Sequence, residues 1–137
     1  MKTMKTKDRG EKRTYTVIPA TVQVMDKSIR QPLGRQAQQG QHVMGRYMWI
    51  QGFHAGPLGK WVPTTGITLA CRDSKELGHV LYLLTRANIE YEIFMDDNAE
   101  AYGPGIRLIT AICTEPVYKD QVTGILDYLP LWPGEQG

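Results

Sequence analysis

The chain contains 137 residues, of which 42% are apolar and 22% are charged, and its formal net charge at pH 7 is +2. These values are typical of one globular domain with a substantial core, and they exclude a low-complexity or strongly charged chain. Most of the positive excess lies in residues 1–13, where four lysines and two arginines outnumber Asp8 and Glu11.

Residues 1–13 contain no apolar run, so we predict neither a signal peptide nor a membrane anchor there. They are predicted to form a flexible basic arm, which either only keeps the protein in solution or contacts phosphate groups. The chain is therefore expected in the cytoplasm.

The first predicted strand lies within residues 14–26, which are rich in β-branched side chains and partly alternate. Pro19 has no N–H group for a strand ladder, so we expect it at the strand start or on a sheet edge. Residues 33–49 then show helical spacing. Residues 51–66 hold four glycines and two prolines, which predicts a long surface loop.

A second strand and a second helix follow this loop. Residues 67–73 are apolar at their centre, as expected for a strand that is covered on both faces. Residues 74–88 predict a helix with Ser74 as its N-cap and Asn88 near its end. The apolar stripe of this helix comprises Leu77, Val80, Leu81 and Leu84.

The last third of the chain predicts two strands, in residues 90–97 and 106–114, and a helix in residues 119–129. The element order is therefore β-α-β-α-β-β-α. This order predicts a single compact α/β domain, residues 14–132, with a four-stranded mixed sheet and helices on both faces. Residues 133–137 are expected to form a tail.

The two cysteines, Cys71 and Cys113, each lie inside an apolar run and have no second ligand cluster nearby. We predict that both are buried, small apolar side chains and not metal ligands or a disulfide. The glycine-rich signatures GxGxxG and GxxxxGKS/T are also missing, so the sequence does not indicate a phosphate-binding loop. No metal and no cofactor are expected.

Four polar residues lie on one stripe of the first predicted helix, because the steps between them are four, three and four residues. These residues are Arg35, Gln39, His42 and Arg46. Such a stripe is either a solvated helix face or part of a site that combines two cations, an amide and an imidazole.

Three segments carry motifs with a defined spacing. "GRQAQQGQH" places a glutamine four residues and a histidine seven residues after Arg35. "DDNAEAYGPGIRLITAI" places Pro-Gly eight and nine residues after Asp96, before a hydrophobic strand, and "VTGILDYL" lies in the last predicted helix. Together, across residues 14–129, these segments resemble the archaeal and eukaryotic type of peptidyl-tRNA hydrolase.

This resemblance implies hydrolysis of the ester that joins a peptide, or an N-blocked amino acid, to the terminal ribose of tRNA. It implies tRNA as the partner, a homodimer as an assembly found in the family, and a catalytic set of His42, Asp96 and Arg35. The residues expected to bind the substrate are Gln39, Arg46, Asp97, Glu100, Tyr102 and Lys60.

The chemistry of the side chains agrees with these roles. An imidazole such as that of His42 can accept a proton near neutral pH, and Asp96 or Asp97 could orient the imidazole or a water molecule. Arg35 could bind a phosphate or an oxyanion through two hydrogen bonds. For residues 96–98 the alternative is a turn with Asx caps and no chemistry.

The chain departs from the family at several site positions. Arg35 replaces a lysine, Glu100 replaces a frequent threonine, and Ile106 and Leu108 replace hydroxyl residues. Arginine cannot release a proton under physiological conditions. The alternative function is therefore a non-catalytic tRNA-binding or protein-binding module on the same fold.

Overall fold

The computed structural model describes residues 10–55 and 65–133, and for residues 49–55 it describes the backbone alone. The strands are β1 (Arg13–Pro19), β2 (Thr21–Val24), β3 (Lys27–Arg30), β4 (Thr65–Cys71), β5 (Tyr91–Asp96) and β6 (Leu108–Thr114). The helices are α1 (Leu33–Ala55), α2 (Ser74–Arg86) and α3 (Ala99–Tyr102), and Lys119–Val122 forms a 3₁₀ turn.

Four strands form one mixed sheet in the order β4-β1-β6-β5. β1 runs parallel to β4 in a register that extends from Arg13 opposite Thr65 to Pro19 opposite Cys71. β6 pairs antiparallel with both β1 and β5. The predicted α/β class and the four-stranded mixed sheet are therefore confirmed.

The two faces of this sheet carry separate apolar clusters, because successive strand residues point to opposite faces. On one face, Tyr15 and Val17 pack with α2. The buried residues of α2 are Leu77, Val80 and Leu84. On the other face, Ile18 packs with Val43 and Tyr47 of α1. Helices thus cover both faces of the sheet, as predicted.

The segment predicted as one strand, residues 14–26, contains two strands that belong to different sheets. β1 ends at Pro19, and the chain then forms an antiparallel hairpin of β2 and β3, with Val24 opposite Lys27. The turn residue Met25 has a φ of 56°. β3 was missed because its sequence, KSIR, has one apolar residue and therefore little alternation to detect.

Several predicted boundaries shift by a few residues. β1 begins at Arg13, the last residue of the predicted arm, and β4 begins at Thr65. α1 continues through residues 51–55, which were predicted as loop, since one glycine weakens a helix but does not end it. The rest of that predicted loop, residues 56–64, lies outside the described residues. Within the described ranges, no helix has both the length and the apolar character needed to cross a membrane.

The N-cap of α2 is Asp73 and not the predicted Ser74. The carboxylate of Asp73 accepts a hydrogen bond from the backbone N–H of Glu76 at 2.9 Å, which satisfies one of the free donors of the first turn. Ser74 instead accepts a hydrogen bond from the backbone of Gln23 in β2. At the other end, Asn88 adopts a left-handed conformation with a φ of 58°, which asparagine tolerates better than most residues.

The helix predicted for residues 119–129 is wrong. Only the 3₁₀ turn at Lys119–Val122 is regular, and a series of turns follows it. Gly124 has a φ of 81°, which a right-handed helix does not allow, and Asp127 accepts the Gly124 N–H at 2.8 Å. The apolar residues of this segment are nevertheless buried, namely Val122, Ile125, Leu126 and Leu129.

Both cysteines are buried and free, as predicted. Burial raises the pKa of the Cys113 thiol to about 11, and burial also raises the pKa of Cys71. A thiol needs its thiolate form to react or to bind a metal, so neither cysteine is activated at neutral pH.

Candidate active site

The carboxylate of Asp96, the last residue of β5, is held by two neutral donors. The amide nitrogen of Gln39 donates to Asp96 Oδ2 at 2.8 Å, and the Tyr102 hydroxyl donates to the same oxygen at 3.0 Å. Gln39 and Tyr102 are 3% and 6% exposed, so both donors are buried, whereas the Asp96 carboxylate is half-buried. Asp96 Oδ1 accepts no hydrogen bond from the described residues and remains available to a ligand or to water.

The short helix α3 places Tyr102 against Asp96. Asn98 caps this helix, because its side-chain oxygen accepts hydrogen bonds from the backbone N–H groups of Glu100 and Ala101. The Asx turn that was the alternative for residues 96–98 is therefore present at Asn98, and it turns the chain so that Tyr102 returns to the end of β5. The Tyr102 ring packs in a cluster that includes Val22, Val24, Ile29, Ile106 and Leu108.

Arg35, in the first turn of α1, lies beside the Tyr102 hydroxyl. Burial, the hydrogen bond to Asp96 and the negative charge of Asp96 raise the pKa of Tyr102 to about 12. The charge of Arg35 and a hydrogen bond from it oppose this rise. Four of the predicted site residues are thus brought together, namely Arg35, Gln39, Asp96 and Tyr102.

His42 lies one helical turn beyond Gln39 and packs against Phe94 of β5. The two ring centroids are 4.8 Å apart and the rings are inclined by 54°. His42 is exposed, and none of the hydrogen bonds among the described residues joins it to Asp96. Phe94 and Asp96 are two residues apart on the strand, a spacing of about 6.6 Å. A water molecule or a substrate group is therefore needed to link His42 with Asp96.

Arg46, the last residue of the polar stripe, forms an ion pair with Glu92 of β5, with Arg46 Nε 2.5 Å from Glu92 Oε1. The stripe of α1 therefore runs antiparallel along β5 and is more than a solvated face. Its successive contacts are Gln39 with Asp96, His42 with Phe94, and Arg46 with Glu92.

Gln39 has one oxygen that is buried and accepts no hydrogen bond from the described residues. An unpaired buried acceptor costs about 1–3 kcal/mol, so this position is not optimised for stability alone. The bond from Gln39 to Asp96 offsets part of this cost, because hydrogen bonds to a charged acceptor are stronger than neutral ones. We infer that holding Asp96 is the main role of Gln39.

The other predicted substrate-binding residues are only partly placed. Asp97 and Glu100 are exposed, and they follow Asp96 in the chain by one and four residues. Lys60 lies outside the described residues. Sequence reasoning missed Arg107, which precedes β6 and lines a cleft of about 200 Å³ together with Arg46. The only available signal was an isolated cation directly before an apolar strand.

Neither the protein-family models nor the curated proteins compared with this chain include a match. The resemblance to the archaeal and eukaryotic peptidyl-tRNA hydrolases therefore depends on the three motifs quoted above.

The arrangement can support hydrolysis without a covalent intermediate. A carboxylate with one fixed and one available oxygen can orient a water molecule, and an exposed imidazole can exchange a proton with that water. A guanidinium close to the same point can stabilise a developing oxyanion. Among the described residues, no group of three His, Cys, Asp or Glu side chains converges as a metal-binding set.

Proposed function

We propose that this protein hydrolyses the ester bond of peptidyl-tRNA or of N-blocked aminoacyl-tRNA, and so recycles tRNA in the cytoplasm. The observation that carries this proposal is the Asp96 carboxylate, fixed through Oδ2 by Gln39 and Tyr102 with Oδ1 left available. The three sequence motifs support it, because two of them supply Arg35, Gln39, His42 and Asp96.

The reaction requires attack of water on the ester carbonyl carbon. Asp96 Oδ1 orients the water, and His42, which lies one turn away on α1, accepts the proton that the water loses. The bond between the carbonyl carbon and the ribose oxygen then breaks, and His42 returns the proton to that oxygen. The products are tRNA with a free terminal hydroxyl and a peptide carboxylic acid, which releases its proton to the solvent as the carboxylate.

Arg35 acts in this proposal as a fixed cation. It lies beside the Tyr102 hydroxyl and within the same cluster as Asp96, where it can stabilise the oxyanion of the tetrahedral intermediate. Since arginine keeps its proton, Arg35 takes no part in the proton transfers. The lysine-to-arginine replacement is compatible with hydrolysis if the family's lysine is also only a cation.

The remaining contacts to the substrate come from charges around the site. Lys60 and the basic residues 1–13 are proposed to bind phosphate groups of tRNA. Arg46, which was predicted to bind the substrate too, is instead paired with Glu92. Asp97 and Glu100 are acceptors for ribose hydroxyl groups, and exposure of both side chains makes them accessible.

A non-catalytic tRNA-binding module is the second candidate. It is favoured by Arg35 in place of the family's lysine, and the two hydrogen bonds to Asp96 Oδ2 are equally compatible with a purely structural carboxylate. Binding and turnover have to be measured separately to distinguish the two functions.

The test uses N-acetylated aminoacyl-tRNA with protein in excess, and it compares Asp96→Asn with Asp26→Asn as a matched control. Asp26 is an exposed turn residue of the β2–β3 hairpin, and it takes no part in the hydrogen bonds that Gln39 and Tyr102 make to Asp96. The proposal predicts a rate at least about a hundredfold lower for Asp96→Asn, the size expected when the attacking water is no longer held in place, with unchanged affinity for deacylated tRNA. Equal rates for the two variants would exclude Asp96 from catalysis.

A further inference from the structure

The outer edge of β5 has no strand partner among the described residues, because β5 is the last strand of the sheet. The opposite edge, β4, is covered by the C-terminal segment. Ala70 N–H donates to the Pro130 carbonyl at 2.9 Å, and Trp132 N–H donates to the Thr68 carbonyl at 2.8 Å. The two edges of the sheet therefore differ: within the described ranges the β4 edge is paired, and the β5 edge, which ends at Asp96, is not.

A cleft of about 200 Å³ follows this open edge. It is lined by four consecutive residues of β5, Glu92 to Met95, and by Arg46 and Arg107. Consecutive strand residues point to opposite faces of a sheet. A cleft that all four of them line must therefore lie along the edge of the strand and not on one face.

The chemistry of the cleft favours a peptide over a nucleic acid. An unpaired strand edge offers backbone donors and acceptors in a row, which an extended peptide matches and a phosphodiester chain does not. Ile93, Phe94 and Met95 supply an apolar lining. Glu92 neutralises Arg46 and repels phosphates, which leaves Arg107 as the one cation of the lining outside that ion pair.

We propose that the β5 edge binds the peptide part of peptidyl-tRNA as an added strand parallel to β5. This rests on the proposed function, since the ester carbonyl must lie at Asp96. The preceding peptide residues then run back along the edge towards Tyr91, in the direction that makes the two chains parallel. Backbone recognition of this kind does not depend on the peptide's side chains, because main-chain hydrogen bonds supply the affinity.

The length of the edge sets the number of peptide residues that it recognises. A strand rises about 3.3 Å per residue, so the distance from Glu92 to Asp96 is about 13 Å and accommodates four peptide residues. Each backbone hydrogen bond contributes a factor of about five to affinity. A tetrapeptide should therefore gain at least about tenfold over a single N-blocked residue.

The experiment compares three tRNA substrates: one with an N-acetylated amino acid, one with an N-acetylated tetrapeptide, and one with the same tetrapeptide N-methylated at the backbone nitrogens of its second and third residues. We expect kcat/KM to be at least tenfold higher for the tetrapeptide, and N-methylation to remove the gain. The binding affinities of the same three tRNAs for the Asp96→Asn variant should follow the same order, without any need for turnover.

The Arg107→Gln variant tests which part of the substrate occupies the cleft, with Arg86→Gln on α2 as the control. Arg107→Gln should reduce the advantage of the tetrapeptide and leave binding of deacylated tRNA unchanged, and Arg86→Gln should alter neither. An equal loss of affinity for deacylated tRNA in Arg107→Gln would show that the cleft holds phosphates, and would overturn the peptide assignment.

The outcomes also separate this proposal from the proposed function. Turnover that does not depend on peptide length would overturn the edge proposal and leave the hydrolase intact. Absence of turnover, with tighter and N-methyl-sensitive binding of the tetrapeptide, would support the edge and remove the hydrolase. If the protein showed neither turnover nor tighter binding of the tetrapeptide, both the edge proposal and the hydrolase proposal would be overturned.

Discussion

Replacing Tyr102 by phenylalanine tests the hydrogen-bond network around Asp96. The substitution keeps the aromatic ring in its apolar cluster and removes only the hydroxyl that donates to Asp96 Oδ2 at 3.0 Å. Tyr102 is 6% exposed, and its acceptor is a carboxylate. Hydrogen bonds to charged groups contribute about 1.5–3 kcal/mol, so the free energy of unfolding at pH 7 should fall by about 2 kcal/mol.

Urea denaturation measures this change, with Tyr82→Phe as the matched control. The Tyr82 hydroxyl also has a partner, Arg86, but Tyr82 is 54% exposed. Substitutions at exposed positions usually change the free energy of unfolding by less than about 0.5 kcal/mol. If Tyr102→Phe cost no more than Tyr82→Phe, the Tyr102–Asp96 hydrogen bond would not contribute to holding the site.

The same pair of proteins gives a pH test of the raised Tyr102 pKa. The unfolded chain loses the tyrosine proton near pH 10, whereas the folded chain keeps it to about pH 12. Between these values the native state binds more protons, so stability falls as pH rises. The stability difference between wild type and Tyr102→Phe should therefore shrink from pH 10 to pH 12, by up to about 2–3 kcal/mol. A constant difference across this range would contradict the assignment.

Three further predictions concern turnover and tRNA binding. His42→Ala should reduce turnover about a hundredfold or more with near-normal tRNA affinity, and His79→Ala, on α2, should behave as wild type in the same kinetic assay. Arg35→Lys should keep turnover within about threefold, because lysine supplies the same fixed charge. A loss of about 1 kcal/mol of tRNA binding in a filter-binding titration would show instead that Arg35 holds a phosphate through paired hydrogen bonds. Removal of residues 1–9, which contain four cations and one acid, should lower the affinity for tRNA and the salt dependence of that affinity without changing the Tm. If the full chain bound tRNA with an affinity independent of salt, a phosphate-binding role would be refuted.

The fold was largely predictable because its main elements carry strong hydrophobic patterns. The stripe of Leu77, Val80, Leu81 and Leu84 identified α2, and its side chains are buried except that of Leu81, which is partly buried. The errors lie where patterns are short or ambiguous. The apolar residues of 119–129 have helical spacing and are buried, but the left-handed Gly124 prevents a helix. The sequence does not show which φ a glycine adopts, because glycine allows both positive and negative values.

The composition of the site was predictable in part, whereas its contacts were not. Helical spacing placed Gln39 and His42 on one stripe, but spacing does not show which strand the stripe meets. Only the packing of α1 on β5 reveals that Gln39 reaches Asp96 while His42 meets Phe94. The role of Tyr102 was hidden because α3 has only four residues, too few to give a periodic signal.

The most direct test of the proposed activity is a single-turnover time course with wild-type protein and radiolabelled N-acetylaminoacyl-tRNA. We expect first-order release of the free N-acetylamino acid, together with intact tRNA, at a rate well above that of spontaneous hydrolysis in the same buffer. Tight binding of this tRNA with release at only the spontaneous rate would contradict the hydrolase and favour the binding module.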